Sequence, residues 1–175
     1  MMKTILLNDT SIYHSGSKQS VKILSSYYKP ELLISTYSSL DLSLINNFDR
    51  IILNGEGTLH HNQYNAIKFL KYLREAQKLN KDTLIVNSVW QSMSMDWKDV
   101  LEKCSLIEVR ETLSQNEIYS KYDIKPTVVL DISIHSDIEY EKIDSKEICV
   151  GGTFYGKINL NIENYTKIDV FSMCW

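Results

Sequence analysis

Short apolar segments alternate with segments of helical periodicity along most of this 175-residue chain. The apolar segments have the length of buried strands, which are predicted at residues 3–7, 31–36, 49–54, 82–87, 106–110 and 127–131. Helices are predicted between them, at residues 18–28, 41–48, 63–79, 96–104 and 114–121. Because the strands are apolar on both sides, the pattern predicts an α/β fold with an open parallel sheet and helices on both faces.

Composition narrows the class of protein further. With 43% hydrophobic and 23% charged residues and a net charge of −3, the chain has the balance of an ordinary globular protein, and no nucleic-acid partner is expected. No apolar run reaches the roughly 18 residues of a membrane span. The apolar stretch at the N-terminus is too short for a signal peptide. Three widely spaced cysteines disfavour a disulfide framework, so a cytoplasmic location is expected.

The alternating pattern weakens after Asp131. We expect residues 1–135 to form the α/β domain. Residues 136–175 are expected to hold a last strand, near Ile148–Gly151, and the start of a linker or of a truncated second half. The final segment carries Phe171, Met173 and Trp175 without an evident core for them. This predicts an apolar surface on which a second half, or another copy of the chain, docks.

Polar residues follow five of the predicted strands. They are Asn8-Asp9-Thr10, Asn54 to His61, Asn87 to Gln91, Arg110-Glu111 and Asp131-Ile132-Ser133. The carboxyl ends of parallel strands meet at one edge of a sheet, and ligands of such sheets bind beyond that edge. We therefore expect one ligand-binding edge that contains Asn8, Gly55, Asn87, Arg110 and Asp131.

These strand-end segments, in this order, resemble the N-terminal half of the polysaccharide pyruvyl transferase family. The matching segments are Asn8-Asp9-Thr10 with His14-x-Gly16-Ser17, Asn54-Gly55-Glu56-Gly57-Thr58-Leu59-His60, Asn87-Ser88-Val89-Trp90-Gln91, Val109-Arg110-Glu111-x-x-Ser114-Gln115 and Val129-Leu130-Asp131-Ile132-Ser133. Each segment alone is a weak signal, but five in order, each at a strand end, are fairly specific. The resemblance covers roughly Lys3 to Ser133 and implies a Rossmann-like domain similar to the N-terminal domain of a GT-B transferase.

The resemblance also implies a function. Members transfer the enolpyruvyl group of phosphoenolpyruvate to a sugar of a cell-surface polysaccharide, and they form a pyruvate ketal on two hydroxyls. This implies a bacterial transferase of capsule or exopolysaccharide biosynthesis, with phosphoenolpyruvate as donor substrate, a sugar or polysaccharide as acceptor, and no metal or other cofactor. Members carry a second Rossmann-like half with much of the donor site, so this chain is expected to act with a second domain, a partner half or a second copy.

Four residues are candidates for catalysis: Glu56, Arg110, Asp131 and His60. Glu56 or Asp131 is the candidate base for a sugar hydroxyl, and His60 or His14 is a candidate acid. Arg110 is the candidate anion clamp, because its planar guanidinium matches a carboxylate or a phosphate. Each has a structural alternative. The Glu56 segment also fits a tight strand-to-helix turn capped by Thr58 or Asn62. Arg110 also fits an ion pair with Glu111, Asp131 or Glu56, and Asp131 also fits a turn cap.

A larger set is expected to bind substrate. It comprises Asn8, Asp9, His14, Gly16, Ser17, Asn54, Gly55, Gly57, Thr58, Asn87, Trp90, Gln91 and Ser114. Trp90 is expected either to stack on a sugar ring or to pack in the core. The adjacent His60 and His61 do not have the i, i+4 spacing of a helical metal site. The first turn also lacks the G-x-G-x-x-G pattern of a dinucleotide site.

Two other functions stay open from the sequence. One is a non-catalytic Rossmann-like module that binds a glycan or a partner protein. The other is a related group transferase that uses a different phosphorylated or nucleotide-linked donor on the same scaffold.

Overall fold

A computed structural model describes residues 2–13, 15–135, 148–153 and 168–173. The chain divides into two compact units, Met1–Ser136 and Asp137–Trp175. The first unit contains the segments that carry the candidate site residues.

The first unit alternates strands and helices as the sequence pattern predicts. Its elements are β1 (Thr4–Asp9), α1 (Ser15–Tyr28), β2 (Leu32–Ser35), β3 (Arg50–His60), α2 (Tyr64–Lys78), β4 (Asp82–Gln91), α3 (Lys98–Glu102), β5 (Leu106–Val109), α4 (Thr112–Tyr122) and β6 (Thr127–Val128). Short 3₁₀ helices lie at Leu42–Asn47, Met95–Trp97 and Ile132–His135. No helix among the described residues has the length and apolarity needed to cross a bilayer.

The six strands form one sheet in the order β2-β1-β3-β4-β5-β6, and every neighbouring pair is parallel. From β1 the chain moves outward to β2 and then crosses back to β3 on the other side. The order of the strands therefore reverses between β1 and β3. In open α/β sheets a ligand crevice lies at such a reversal, beyond the carboxyl ends of the strands.

Two apolar cores lie on opposite faces of this sheet, because successive strand side chains point to opposite sides. Ile5 and Leu7 of β1 belong to the core that α2, α3 and α4 cover. Leu6 of β1 belongs to the other core, where Leu24 of α1 packs. The predicted Rossmann-like parallel sheet with helices on both faces is confirmed.

The largest difference from the predicted boundaries concerns β3 and β4, which run well past Asn54 and Asn87. Their pairing continues through Glu56 with Ser88 and through His60 with Gln91, with an irregularity between Glu56 and Leu59. The alternative of a strand-to-helix turn at residues 55–60 is therefore wrong. The residue before α2 is Gln63, which makes no side-chain capping bond, so neither Thr58 nor Asn62 is the cap.

Other boundaries shift by a few residues. Helix α1 begins at Ser15, three residues before the predicted start at residue 18, so Ser17 lies in its first turn. Strand β6 contains two residues, Thr127 and Val128, where five were predicted. Both residues are exposed, and β6 lies at the edge of the sheet with one neighbouring strand. The strand is therefore short because neither burial nor pairing on its second side stabilises further residues.

The second unit contains two further strands, β7 (Ile148–Thr153) and β8 (Ile168–Met173), which pair in parallel. They form a separate two-stranded sheet. A strand is therefore present near Ile148–Gly151 as predicted, and β8 was not anticipated. Trp175 lies outside the described residues, and the apolar docking surface expected near it stays a prediction.

Candidate functional site

Hydrogen bonds join three asparagines across neighbouring strands: Asn8 near the end of β1, Asn54 within β3 and Asn87 within β4. The Asn8 amide nitrogen lies 2.7 Å from the Asn54 carbonyl oxygen, and the Asn87 amide nitrogen lies 3.2 Å from Asn54 Oδ1. All three side chains are buried. Asn8, Asn54 and Asn87 were expected to bind substrate. In the structure their amides join neighbouring strands, and their role in binding substrate stays a prediction.

The backbone at this edge adopts a conformation that side chains usually avoid. Asn8 has a φ of 65°, Glu56 of 36° and Asn87 of 51°. Asparagine tolerates this left-handed region better than most residues, whereas glutamate pays a strain energy there. Such strain persists only where surrounding contacts fix it, and it concentrates at functional sites. The contacts around Glu56 must therefore hold its backbone in this conformation.

Hydroxyl groups from two neighbouring segments fix the Glu56 carboxylate. Thr10, after β1, donates to Oε2, and Ser17, in the first turn of α1, donates to Oε1. The Asn54 amide nitrogen lies 3.4 Å from Oε2. The residue as a whole is partly exposed, and its carboxylate is held in place by these three contacts. This arrangement suits a group that must meet a ligand hydroxyl in a fixed orientation.

The residues around Glu56 differ in accessibility. A Cβ added at Gly55 would lie 2.2 Å from Ser88 Cβ, so this glycine is required by the close approach of β3 and β4. A Cβ added at Gly57 would meet nothing within 4 Å. Thr58 is partly exposed and accepts a hydrogen bond from Asn8 at 2.9 Å. Gly57 and Thr58 are thus the open part of the segment.

Arg110 follows β5 and forms an ion pair with Asp131, which lies after β6. Of the alternatives for Arg110, the pair with Asp131 is the one observed. The Arg110 side chain is only 14% exposed, and its contact with Asp131 uses Nη1. Among the described residues, no partner contacts its Nε or Nη2. Part of the guanidinium fork is therefore free to bind an anion.

Asp131 is both an ion-pair partner and a turn cap. Its Oδ1 accepts hydrogen bonds from the Ser133 backbone nitrogen at 2.9 Å and from the Ser133 hydroxyl at 2.7 Å. Burial acts to raise the pKa of Asp131, but the hydrogen bonds from Ser133 and the charge of Arg110 outweigh it and lower the pKa. A carboxylate with a lowered pKa is a weak base, so this geometry disfavours Asp131 as the catalytic base.

Trp90 and Ser114 lie in the core, which for Trp90 is the packing alternative and for Ser114 gives a structural role in place of the expected contact with substrate. Trp90 is 2% exposed and packs edge-on against Tyr122 of α4. The Ser114 hydroxyl is buried, accepts from the Trp90 backbone nitrogen at 2.8 Å and donates to Glu111 at 2.7 Å. Together they join α4 to the end of β4, and neither presents a surface to a sugar.

The remaining candidates lie at the periphery. His60 ends β3, and its Nδ1 lies 3.1 Å from that of His61. Burial and the neighbouring His61 lower the pKa of His60, which favours the neutral ring at neutral pH and does not favour a role as acid. Asp9 caps a local turn through Ser11 at 3.0 Å. Gly16 lies in the first turn of α1, and the Gln91 side chain is exposed at the end of β4. His14 lies outside the described residues.

Two residues of this edge, Thr10 and Thr36, were not assigned to the site from the sequence. Thr10 was quoted in the first segment but not assigned to the site, and it is a direct partner of Glu56. Thr36 donates to Asn8 Oδ1 at 2.8 Å and lies just after β2. The rule of inspecting strand ends would have found Thr36, had it been applied to β2. In the parts of the chain that the structure describes, no group of three or more His, Cys, Asp and Glu could hold a metal ion.

An open parallel sheet with polar strand ends gathered at its reversal point defines a Rossmann-like ligand-binding domain. The chain belongs to the polysaccharide pyruvyl transferase family, whose model, described as "Polysaccharide pyruvyl transferase", matches residues 7–173. This confirms the resemblance and extends it beyond Ser133. Family membership implies a saccharide acceptor. Comparisons with curated proteins and with solved structures gave no significant match.

Proposed function

We propose that this chain carries the acceptor side of a pyruvyl transferase that uses phosphoenolpyruvate to form a pyruvate ketal on a sugar of a cell-surface polysaccharide. The observation that supports this best is the Glu56 carboxylate, which is partly exposed at the reversal point and oriented by Thr10 and Ser17. A ketal-forming reaction needs a fixed acceptor for the proton of an attacking hydroxyl, and a carboxylate in this position suits that role.

Glu56 has capacity left for a substrate hydroxyl. A carboxylate offers about four lone-pair sites. Among the described residues, Thr10 and Asn54 contact Oε2 and Ser17 contacts Oε1. We assign the remaining site on Oε1 to the acceptor hydroxyl, which loses its proton to Glu56 as its oxygen attacks the donor.

Arg110 is the proposed anion clamp of the same reaction. Residue Glu56 lies opposite Ser88 and Ser88 lies opposite Val109, so Arg110 follows a strand two positions away from Glu56. Two strand spacings place these backbones about 10 Å apart, which leaves room for a small donor between the side chains. The unpaired part of the guanidinium matches the carboxylate or the phosphate of phosphoenolpyruvate.

The overall reaction balances with these roles. The alkene carbon of phosphoenolpyruvate gains a proton, two sugar hydroxyl oxygens bond to the adjacent carbon, and the bond from that carbon to the phosphate oxygen breaks. Of the two protons that the sugar hydroxyls lose, one accounts for the proton gained by the new methyl group. The other is carried away by the released phosphate. No metal or further cofactor enters this scheme. We further propose a GT-B-type arrangement, in which a second Rossmann-like half supplies the rest of the donor site.

The test is release of inorganic phosphate from phosphoenolpyruvate and a panel of methyl pyranosides by the full-length enzyme, or by this chain together with its partner half. Glu56→Gln is expected to lower kcat by about 10²–10⁴-fold, because it removes the proton acceptor and keeps the shape. The matched control is Glu102→Gln, an exposed glutamate of α3 whose change is expected to leave kcat unaltered. Phosphoenolpyruvate should raise the melting temperature of both variants, since ligand binding stabilises the folded state.

Three results would contradict the proposal. Full activity of Glu56→Gln would show that Glu56 is not the base. Stabilisation by nucleotide sugars but not by phosphoenolpyruvate would indicate a related transferase with another donor. Binding of pyranosides without any phosphate release would indicate a non-catalytic glycan-binding module.

A further inference from the structure

Two exposed tyrosines are in contact on the segments that follow β1 and β2. Tyr13 and Tyr37 pack edge to face, with ring centroids 5.8 Å apart and planes at 88°. The side chains are 45% and 71% exposed. Ile12, beside Tyr13, is also exposed. Single exposed apolar residues are common, but a contacting aromatic pair at a polar site marks a binding surface.

The backbone that carries each ring is held by hydrogen bonds. Tyr13 closes a turn through its backbone nitrogen, 3.0 Å from the carbonyl oxygen of Thr10, and Thr10 is itself a partner of Glu56. Tyr13 therefore lies one turn away from the carboxylate. Burial and the Tyr37 hydroxyl raise the pKa of Tyr13, Thr36 lowers it, and the negative charge of Glu56 adds to the rise.

Tyr37 stands at the tip of a second turn, which follows β2. Lys68 of α2 donates to the carbonyl oxygens on both sides of this residue, at 2.5 Å to Thr36 and 3.2 Å to Ser38. The backbone nitrogen of Ser38 lies 3.0 Å from the Ser35 carbonyl oxygen. The ring is thus exposed on a fixed backbone. Ligand binding therefore costs little entropy, because the backbone is already ordered.

We propose that Tyr13 and Tyr37 form an aromatic platform for the pyranose ring of the acceptor sugar, a proposal that rests on the proposed function. A pyranose has an apolar face of C–H groups and a rim of hydroxyls. The face packs on an aromatic ring, while a rim hydroxyl reaches Glu56. This platform takes the role that the sequence offered to Trp90, which the structure places in the core.

The test measures binding of methyl pyranosides of glucose, galactose and mannose to the full chain by saturation-transfer NMR and titration. At least one pyranoside should receive saturation from tyrosine ring protons. Tyr37→Ala should weaken its affinity about five- to ten-fold, since ring contacts of this kind are worth about 1 kcal/mol. Tyr37→Phe should stay within about twofold, because the ring and not the hydroxyl carries the contact.

The chain offers a control in Tyr27, which is exposed and packs edge to face against the partly buried Tyr28. Tyr27 lies at the opposite end of α1 from Ser17, so Tyr27→Ala should leave pyranoside affinity unchanged. An equal loss in Tyr27→Ala and Tyr37→Ala would overturn the platform. So would unchanged affinity in Tyr37→Ala, or a wild-type chain that binds uridine monophosphate but no pyranoside. Melting temperatures of all variants confirm folding.

The two proposals fail in different ways. If a pyranoside binds through Tyr37 but no phosphate is released from phosphoenolpyruvate, the platform stands and the transferase function is wrong. If transfer occurs and Tyr37→Ala leaves the KM of the acceptor unchanged, the function stands and the platform is wrong. A rise in that KM with unchanged kcat supports both.

Discussion

Each polar residue at the ligand edge serves either the scaffold or the surface, and burial separates the two roles. Asn8, Asn54 and Asn87 are buried, and their side-chain amides form hydrogen bonds with neighbouring strands. Asparagine suits this role because its short side chain carries both a donor and an acceptor. An unpaired amide in the same place would cost about 1–3 kcal/mol. Glu56 differs from these three asparagines, because it is partly exposed.

The two glycines that flank Glu56 provide a test at this scale. Gly55→Ala is expected to destabilise the fold by about 1–3 kcal/mol, because the new methyl group overlaps Ser88 and forces β3 from β4. Gly57→Ala meets open space and should change stability by less than about 0.5 kcal/mol. Urea unfolding of both variants measures the difference. Equal stabilities would show that the two strands separate without cost.

At the scale of elements, the carboxyl edge is joined across β4, β5 and β6 by few contacts. Strand β6 has two paired residues, so the segment after it is held by side chains. Arg110 pairs with Asp131, and the backbone nitrogen of Ile132 lies 3.4 Å from Asn87 Oδ1. The ion pair therefore has a structural role as well as its proposed role toward an anion.

The ion pair predicts a pH dependence. The folded state lowers the pKa of Asp131, so the stability it contributes is present above the unfolded value of about 4 and is lost as the pH falls through the folded pKa. Asp131→Asn should therefore lower the melting temperature at pH 7 by a few degrees, and this difference should be smaller at pH 3. Melts of both proteins at the two pH values check this. If the difference in melting temperature is as large at pH 3 as at pH 7, the effect comes from the turn hydrogen bonds and not from the charge.

At the scale of the whole first unit, the site belongs to the centre of the sheet. Strands β1 and β3 each have a neighbour on both sides, and their residues are buried by helices on both faces. Strands β2 and β6 are the edges. The Glu56 site is therefore built on the most constrained strands, and the tyrosine platform lies on turns toward the β2 edge.

Hydrogen exchange should follow this order. Amides of residues 5–7 in β1 and 51–53 in β3 are expected to exchange most slowly, since opening them requires unfolding of the whole sheet. Amides of Thr127 and Val128 in β6 should exchange at least about 100-fold faster, because a two-residue edge strand opens locally. Equal protection in β1 and β6 would contradict this and indicate that β6 is covered in solution.

The sequence by itself determined the α/β class, the parallel sheet and the set of strand ends that carry the site. These follow from local signals: apolar runs of strand length, helical periodicity, and polar residues such as Asn8, Asn54 and Arg110 where each run stops. The tertiary structure alone decided which of these groups face a ligand. Trp90 and Tyr37 are both aromatic residues at strand ends, yet packing of α4 buries the first and a turn fixed by Lys68 exposes the second. Burial depends on which elements pack together in the tertiary structure, and a local sequence pattern does not specify that packing.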